Sequence, residues 1–288
     1  MIGRDLAFTE TGRLRAPWRL LLFLATALVC TVLVQGTVAP LVAVVAGWLG
    51  LRPSLYNWAY ALALLAAHAL VLRWTYDDWA GVGLGARSAR PALLAEGALI
   101  GALAIGVPSV ALLGIGWLRL EPAPAGSSLA AAAHLLLFLA PAALWEELLF
   151  RGYAFTVIRE RWGAPAALVA TSLAFGALHL GNPGANLQSV VQVVFAGVWL
   201  GGVLLATGSL YAAWMAHLAW NWAMAAALHT AVSGLPLTVP DYRVVDAGPD
   251  WATGGAWGPE GGVGATIGMA LALVYLYARL VRRKENQG

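Results

Sequence analysis

The sequence has 288 residues, of which 60% are hydrophobic and 11% charged, with a formal net charge of +3. A soluble domain carries about 25% charged residues, and several apolar runs here reach the ~18–20 residues that cross a bilayer, so the composition describes a polytopic membrane protein. The small net charge gives no reason to expect a nucleic-acid partner, and a single cysteine, Cys30, excludes an intrachain disulfide framework and a Cys-rich metal site.

The membrane segments are predicted at 18–49, 55–73, 91–117, 128–149, 165–180, 187–206, 210–230 and 262–280, which makes an all-α protein of about eight transmembrane helices. Arginines precede the first run, as in a signal peptide. That run is far longer than the roughly 7–15 apolar residues of a signal sequence and lacks a small-x-small cleavage site, so it reads as a retained helix with Cys30 as a small apolar member. It is too long for one straight span, and Gly36 and Pro40 are expected either to kink it or to set off a re-entrant piece. LGLRPS, EPAPAGSS, RWGAP, GNPGAN and TGS read as turns between later runs. Trp18, Trp48, Trp74, Trp79, Trp117 and Trp251 lie near run ends, as interfacial aromatic belts require. The stretch 231–261, rich in Gly, Pro and acids (Asp241, Asp246, Asp250, Glu260), shows no apolar periodicity and reads as a lid or a solvated linker. No repeat and no second soluble domain is visible. One structural domain is expected, with three helices in 1–127, four core helices in 128–230, and an extracytoplasmic loop and last helix in 231–288.

Placing the N-terminus in the cytoplasm puts every lysine and arginine on the cytoplasmic side except Arg52, Arg119 and Arg243. This asymmetry follows the positive-inside rule and predicts both termini in the cytoplasm. The Ala/Gly/Arg/Trp-rich, lysine-poor composition is that of a prokaryotic chain, so a prokaryotic inner membrane is the expected location, with anionic lipid favoured at the arginine-rich face.

Ionisable residues inside these runs need a reason, because one charge at the bilayer centre costs ~2.5–3.5 kcal/mol on the insertion scale. LWEELLFRGY places Glu146, Glu147 and Arg151 in the fourth run, where the plain reading is a helix end with Glu147 and Arg151 paired at i, i+4. AFGALHL places Phe175 and His179 one turn apart in the fifth run, and MAHLAWNW does the same for His217 and Asn221 in the seventh. Taken singly, each is an ordinary interhelical hydrogen-bonding group. Depth arithmetic brings them together. If the fourth and fifth helices turn at Trp162–Gly163, Glu146 and His179 both lie about 24 Å from the turn, and His217 lies about 14 Å beyond the turn at Gly208. Four polar groups from three helices can then share one intramembrane pocket. His68, His134 and His229 have no such partners and read as structural, and Gly197 to Gly201 reads as a small-xxx-small packing face.

EELLFR, FGALH and HLAWN together resemble the E-E-x-x-x-R, F-x-x-x-H and H-x-x-x-N motifs of the CPBP family of intramembrane proteases. That family includes the eukaryotic CaaX prenyl proteases and the bacterial Abi proteins linked to bacteriocin immunity. The resemblance covers roughly residues 128–230 and implies an eight-helix fold whose catalytic cavity lies among helices four to seven and opens to the cytoplasm. It implies Glu146 as the base that activates water, helped by His179, with His217 and Asn221 stabilising the oxyanion. Glu147 and Arg151 would form a supporting ion pair, and Phe175 would contact substrate. A histidine and an asparagine in a low-dielectric pocket suit an oxyanion independently of the resemblance.

Glu146, His179 and His217 would also make a catalytic zinc set with one open position. The H-E-x-x-H helix is missing and the ligands come from three helices, so a metal-free glutamate mechanism is slightly preferred and both remain open. The leading function is an intramembrane endopeptidase whose partners are membrane lipid and a membrane-associated or lipid-modified peptide or protein. The alternatives are a catalytically inactive scaffold or immunity protein and a proton or cation transporter.

Overall fold

The computed structural model describes residues 7–48, 55–237 and 239–285, without the side chains of residues 283 and 284. Arg4, Arg52, the LGLRPS turn and the side chains of Arg283 and Lys284 lie outside the described residues. Eight principal helices run in order: α1 (Ala16–Trp48), α2 (Tyr56–Thr75), α3 (Pro91–Gly114), α4 (Ser128–Arg151), α5 (Tyr153–Leu178), α6 (Leu187–Thr207), α7 (Leu210–Trp222) and α8 (Val263–Glu285). By length and apolarity there are six candidate membrane spans among the described residues: the α4–α5 segment counts as one, and α7 has only 13 residues. A π-helical turn, Ala223–Ala227, prolongs α7.

The long first run is one continuous helix with no re-entrant piece. Val34–Val38 form a π turn, in which Ala39 N–H donates to the Val34 carbonyl just ahead of Pro40. Proline cannot donate to the preceding turn, and the wider ring of hydrogen bonds absorbs that loss without ending the helix.

The turn between α4 and α5 is not a single point at Trp162–Gly163. The chain bends at Gly152 (φ −78°, ψ −126°), runs helically to Trp162, and leaves helical geometry again at Gly163 (φ 87°, ψ 168°) before Pro165 restarts it. Glu146 therefore lies only about 9 Å along α4 from the bend. Gly152 is needed because a β-carbon there would collide with the His68 ring. His68 accepts from the Tyr153 N–H at Nε2 (3.1 Å) and bonds the Leu64 carbonyl through Nδ1 (2.8 Å), so it caps the new helical piece.

That piece belongs to a polar cluster at the arginine-rich ends of the helices. Arg19 bonds Tyr153 Oη (2.9 Å), Glu160 (2.7 Å) and Asp77 (2.7 Å), and Arg13 also pairs with Asp77. Burial pushes the Asp77 carboxyl up, but the Thr75 hydroxyl and the two arginines outweigh it and hold the group below its ordinary range.

At the opposite ends the described residues of 231–261, all but 238, form defined structure rather than a bare linker, and they make the protein not purely helical. Strand β1 (Leu118–Pro122) pairs antiparallel with β2 (Tyr242–Asp246), Leu118 opposite Asp246 and Pro122 opposite Tyr242. Glu260 accepts from Trp220 Nε1 (2.9 Å) and from the backbone N–H (2.5 Å) and hydroxyl (2.8 Å) of Ser233, while Trp257 is fully buried. One carboxylate thus ties this stretch to the end of α7.

Small residues allow a close helix approach between α3 and α7. Side chains at Gly97 and Gly101 would overlap the backbone of Ala212 and Ala216. In lipid, where no hydrophobic force drives helices together, such close backbone contact is a principal source of association. Two indoles then fix α7 along α4: Trp214 Nε1 donates to the Ala140 carbonyl (2.8 Å) and Trp222 Nε1 to the Ala132 carbonyl (3.0 Å). Gly101→Val should lower stability by about 1–3 kcal/mol by overpacking. A thermal-unfolding midpoint in detergent equal to that of the parent would show that α3 does not hold α7 in this way.

Candidate active site

Successive residues on a helix diverge by about 100°, so the adjacent glutamates of α4 cannot face the same way. Glu146 turns to a cavity of about 400 Å³ bounded by α2, α4, α7, the end of α5 and the 231–237 loop. Glu147 turns into the protein and is fully buried, as is Arg151 one turn later. The helix thus presents one carboxylate to the cavity and keeps the other behind it.

Glu147 Oε1 is shared. It accepts from His217 Nδ1 at 2.9 Å and lies 3.4 Å from Arg151 Nη1. Arg151 Nη2 continues to the Gly197 carbonyl on α6 at 3.2 Å, and its guanidinium sits 4.3 Å over the Phe175 ring. Gly197 is where α6 presses on Ser172 of α5, since a β-carbon there would meet Ser172 at 2.8 Å. The small-residue face on α6 therefore also delivers a backbone acceptor to Arg151. The ion pair that the i, i+4 spacing predicts is present, and its further task is to orient His217. Nothing in the spacing of E-E-x-x-x-R names a histidine 70 residues away, so the link was not visible in the sequence.

With Nδ1 engaged by Glu147, His217 turns Nε2 to Glu146, 3.8 Å from Oε2. That Glu146 oxygen is buried without a hydrogen-bond partner among the described residues. His179 follows α5, at its C-cap, and its Nδ1 bonds the Phe175 carbonyl at 2.8 Å. If that nitrogen carries the ring proton, Nε2 keeps its lone pair for the cavity. Asn221, one turn beyond His217, lines the cavity with its side-chain amide free of hydrogen bonds among the described residues. Glu146, His179, His217 and Asn221 thus line one cavity, as the depth arithmetic required, although the turn it assumed is different.

Phe175 is placed differently from the sequence expectation. It is buried, packs on Phe150 (5.4 Å) and His179 (4.7 Å), and is not part of the cavity wall. It backs His179 rather than lining the cavity. The rest of the wall is mixed: Phe138, Leu139, Ala142, Leu178, Val232 and Leu235 are apolar, while Tyr56, Asn57, Asn182 and Ser233 add polar groups.

No three His, Cys, Asp or Glu side chains among the described residues converge as a metal ion would need. Glu146 and His217 approach each other, at 3.8 Å, and no third donor side chain joins them as a metal site would need among the described residues. The residues do not form the three-ligand set of a catalytic zinc, and no step below is routed through a metal.

Removing one partner of a buried ion pair leaves the other charge uncompensated at about 3–5 kcal/mol, so Arg151→Ala should sharply reduce the folded fraction recovered in detergent. Restoring neutrality with Glu147→Gln in the same chain should recover folding but not the orientation of His217. Wild-type folded yield for Arg151→Ala, read by size exclusion and thermal unfolding, would contradict the shared-carboxylate arrangement.

No curated protein and no solved structure matches the chain. Residues 128–223, from the first residue of α4 to the end of α7, match the family model described as type II CAAX prenyl endopeptidase Rce1-like. The match takes in Glu146, Glu147, Arg151, His179, His217 and Asn221. Over that third of the chain the sequence is similar to the Rce1-like CAAX endopeptidases, a family of proteases.

Proposed function

We propose that this protein hydrolyses a peptide bond of a membrane-associated or lipid-modified polypeptide inside the cavity of α4, α5 and α7. The observation that carries the reading is the convergence of Glu146, His179, His217 and Asn221 on one cavity. Glu146 takes a proton from water, assisted by the open nitrogen of His179, as the water oxygen bonds to the scissile carbonyl carbon. The carbonyl oxygen becomes an oxyanion that accepts hydrogen bonds from the Asn221 amide and from His217 Nε2, in an environment where such donors are worth most. The proton returns to the leaving nitrogen as the C–N bond breaks, and a carboxylate and an amine depart. Glu147 supports an imidazolium at His217 through Nδ1, which makes Nε2 a donor.

A transport role fits the geometry less well. Below Glu146 the chain is closed by Leu148, Arg151 and Tyr153, all with 0% exposure, so the cavity has a floor and no second opening there. A pathway for ions needs access from both faces.

Glu146→Gln removes the proton acceptor at nearly constant volume and should cut cleavage of a reconstituted membrane peptide by at least about 10²-fold while the protein stays folded. Asn221→Ala should lower kcat by about 10²–10³-fold, the loss expected for one oxyanion donor. Cleavage by the wild type should survive prior treatment with a strong chelator. Activity lost on chelation and restored by zinc would replace this mechanism with a metal-dependent one, and full activity in Glu146→Gln would remove Glu146 from its centre.

A further inference from the structure

We propose that the cavity is served from the non-cytoplasmic face of the membrane, so that its substrate is a membrane-bound or exported polypeptide whose scissile bond is presented there. This rests on the protease reading of the same cavity. Two independent observations carry it, the direction in which the cavity opens and the distribution of charge between the two ends of the bundle.

The cavity mouth is marked by exposed residues: Tyr56 (61%), Leu178 (46%) and Leu235 (44%). Tyr56 is the first residue of α2, Leu178 is the last of α5, and Leu235 follows α7. All three lie at the helix ends that also carry the β1–β2 ribbon, since β1 follows α3 and β2 follows α7. Asn182, directly after α5, bonds the Ser233 carbonyl at 2.9 Å and closes the rim on that side. The opposite end is sealed. The last residue of α2 before the Asp77 cluster, Thr75, meets Tyr153, and Tyr153 with Arg151, Leu148 and Phe155 forms a floor of fully buried side chains under Glu146.

Basic charge sorts along the same axis. Arg13, Arg73, Arg87, Arg90, Arg159 and Arg161 are at the sealed end, with Arg279 and Arg282 at the end of α8. Among the described residues the open end has only Arg119 and Arg243; the acids do not sort in this way, with Glu121, Asp241, Asp246, Asp250 and Glu260 there and Glu10, Asp77, Asp78, Glu96 and Glu160 at the sealed end. The positive-inside rule places the arginine-rich end in the cytoplasm. The mouth then faces away from it. The cytoplasmic termini that the arginines predict and the cytoplasmic opening that the family resemblance implies therefore cannot both hold for this chain. The charge distribution is a property of its own residues, and it assigns the mouth to the outer face.

The test uses the full-length protein with Cys30→Ser and one introduced thiol at a time: Leu235→Cys at the mouth, Leu120→Cys on exposed β1, and Trp162→Cys beside the Gly163 break. Right-side-out and inverted membrane vesicles are treated with a membrane-impermeant maleimide. Leu235→Cys and Leu120→Cys should label in right-side-out vesicles and lose labelling in inverted ones, with Trp162→Cys showing the reverse. The opposite pattern, or equal labelling from both sides, overturns the proposal. So does labelling of Leu120→Cys from outside while Leu235→Cys labels only from inside or not at all. In a separate arm, membrane peptides with an identical cleavable segment near either face are incubated with wild type and Glu146→Gln. Glu146-dependent cleavage confined to the outer-face peptide supports the assignment, and cleavage confined to the inner-face peptide overturns it. If neither peptide is cut in a Glu146-dependent way, the protease reading fails, and the substrate assignment with it, whereas the labelling still decides which face the mouth occupies.

Discussion

A carboxylate with no exposed surface, shared between one arginine and one histidine, is the interaction on which the rest of the site depends. Glu147 compensates Arg151 one helical turn away and fixes the His217 ring 70 residues away in the chain. Arg151 in turn reaches α6 through the Gly197 carbonyl. Three helices are thus referred to a single oxygen atom. In a low-dielectric interior such an arrangement holds only when every charge has its partner, which makes it unforgiving and geometrically specific. Its product is that His217 has one nitrogen committed to the protein and the other turned to Glu146 in the cavity.

Much of this was legible in the sequence, because helical periodicity is local. The i, i+4 pairs Glu147/Arg151, Phe175/His179 and His217/Asn221 needed only 3.6 residues per turn to be placed on common faces. The convergence of α4, α5 and α7 also followed from their order and the short turns between them. What stayed hidden depended on side chains meeting across the fold. The bond from Glu147 to His217 is one example, and the use of Gly197 as a backbone acceptor is another. Phe175, which the family resemblance implied as a substrate contact, packs against Phe150 and lies under the Arg151 guanidinium.

The 231–261 stretch was illegible for a different reason. Its order comes from one buried carboxylate, Glu260, from the β1–β2 pairing and from Trp257, none of which makes a periodic pattern. The two breaks between Glu146 and His179 were half visible. RWGAP announced Gly163 inside α5, but Gly152 between α4 and α5 was masked by the apolar run around it, and the nearby His68 ring and Leu148 carbonyl explain why a glycine stands there. The eight-helix architecture was read directly from hydropathy. The approach of α3 to α7 was available in principle from Gly97 and Gly101, which have the small-xxx-small spacing noted on α6.

The central claim is that Glu146 acts on water and does not attack the peptide itself. A single turnover in H₂¹⁸O, with enzyme in excess over a reconstituted membrane peptide, tests it directly. Attack by water puts one ¹⁸O into the new carboxylate of the product and leaves Glu146 unlabelled, which is the predicted result. Attack by the Glu146 carboxylate would form a mixed anhydride: its hydrolysis at the Glu146 carbonyl would leave ¹⁸O on Glu146, and, since its hydrolysis at the substrate carbonyl would not, a parallel turnover with hydroxylamine would trap the anhydride as a hydroxamate, so ¹⁸O on Glu146 or a trapped hydroxamate would contradict the account.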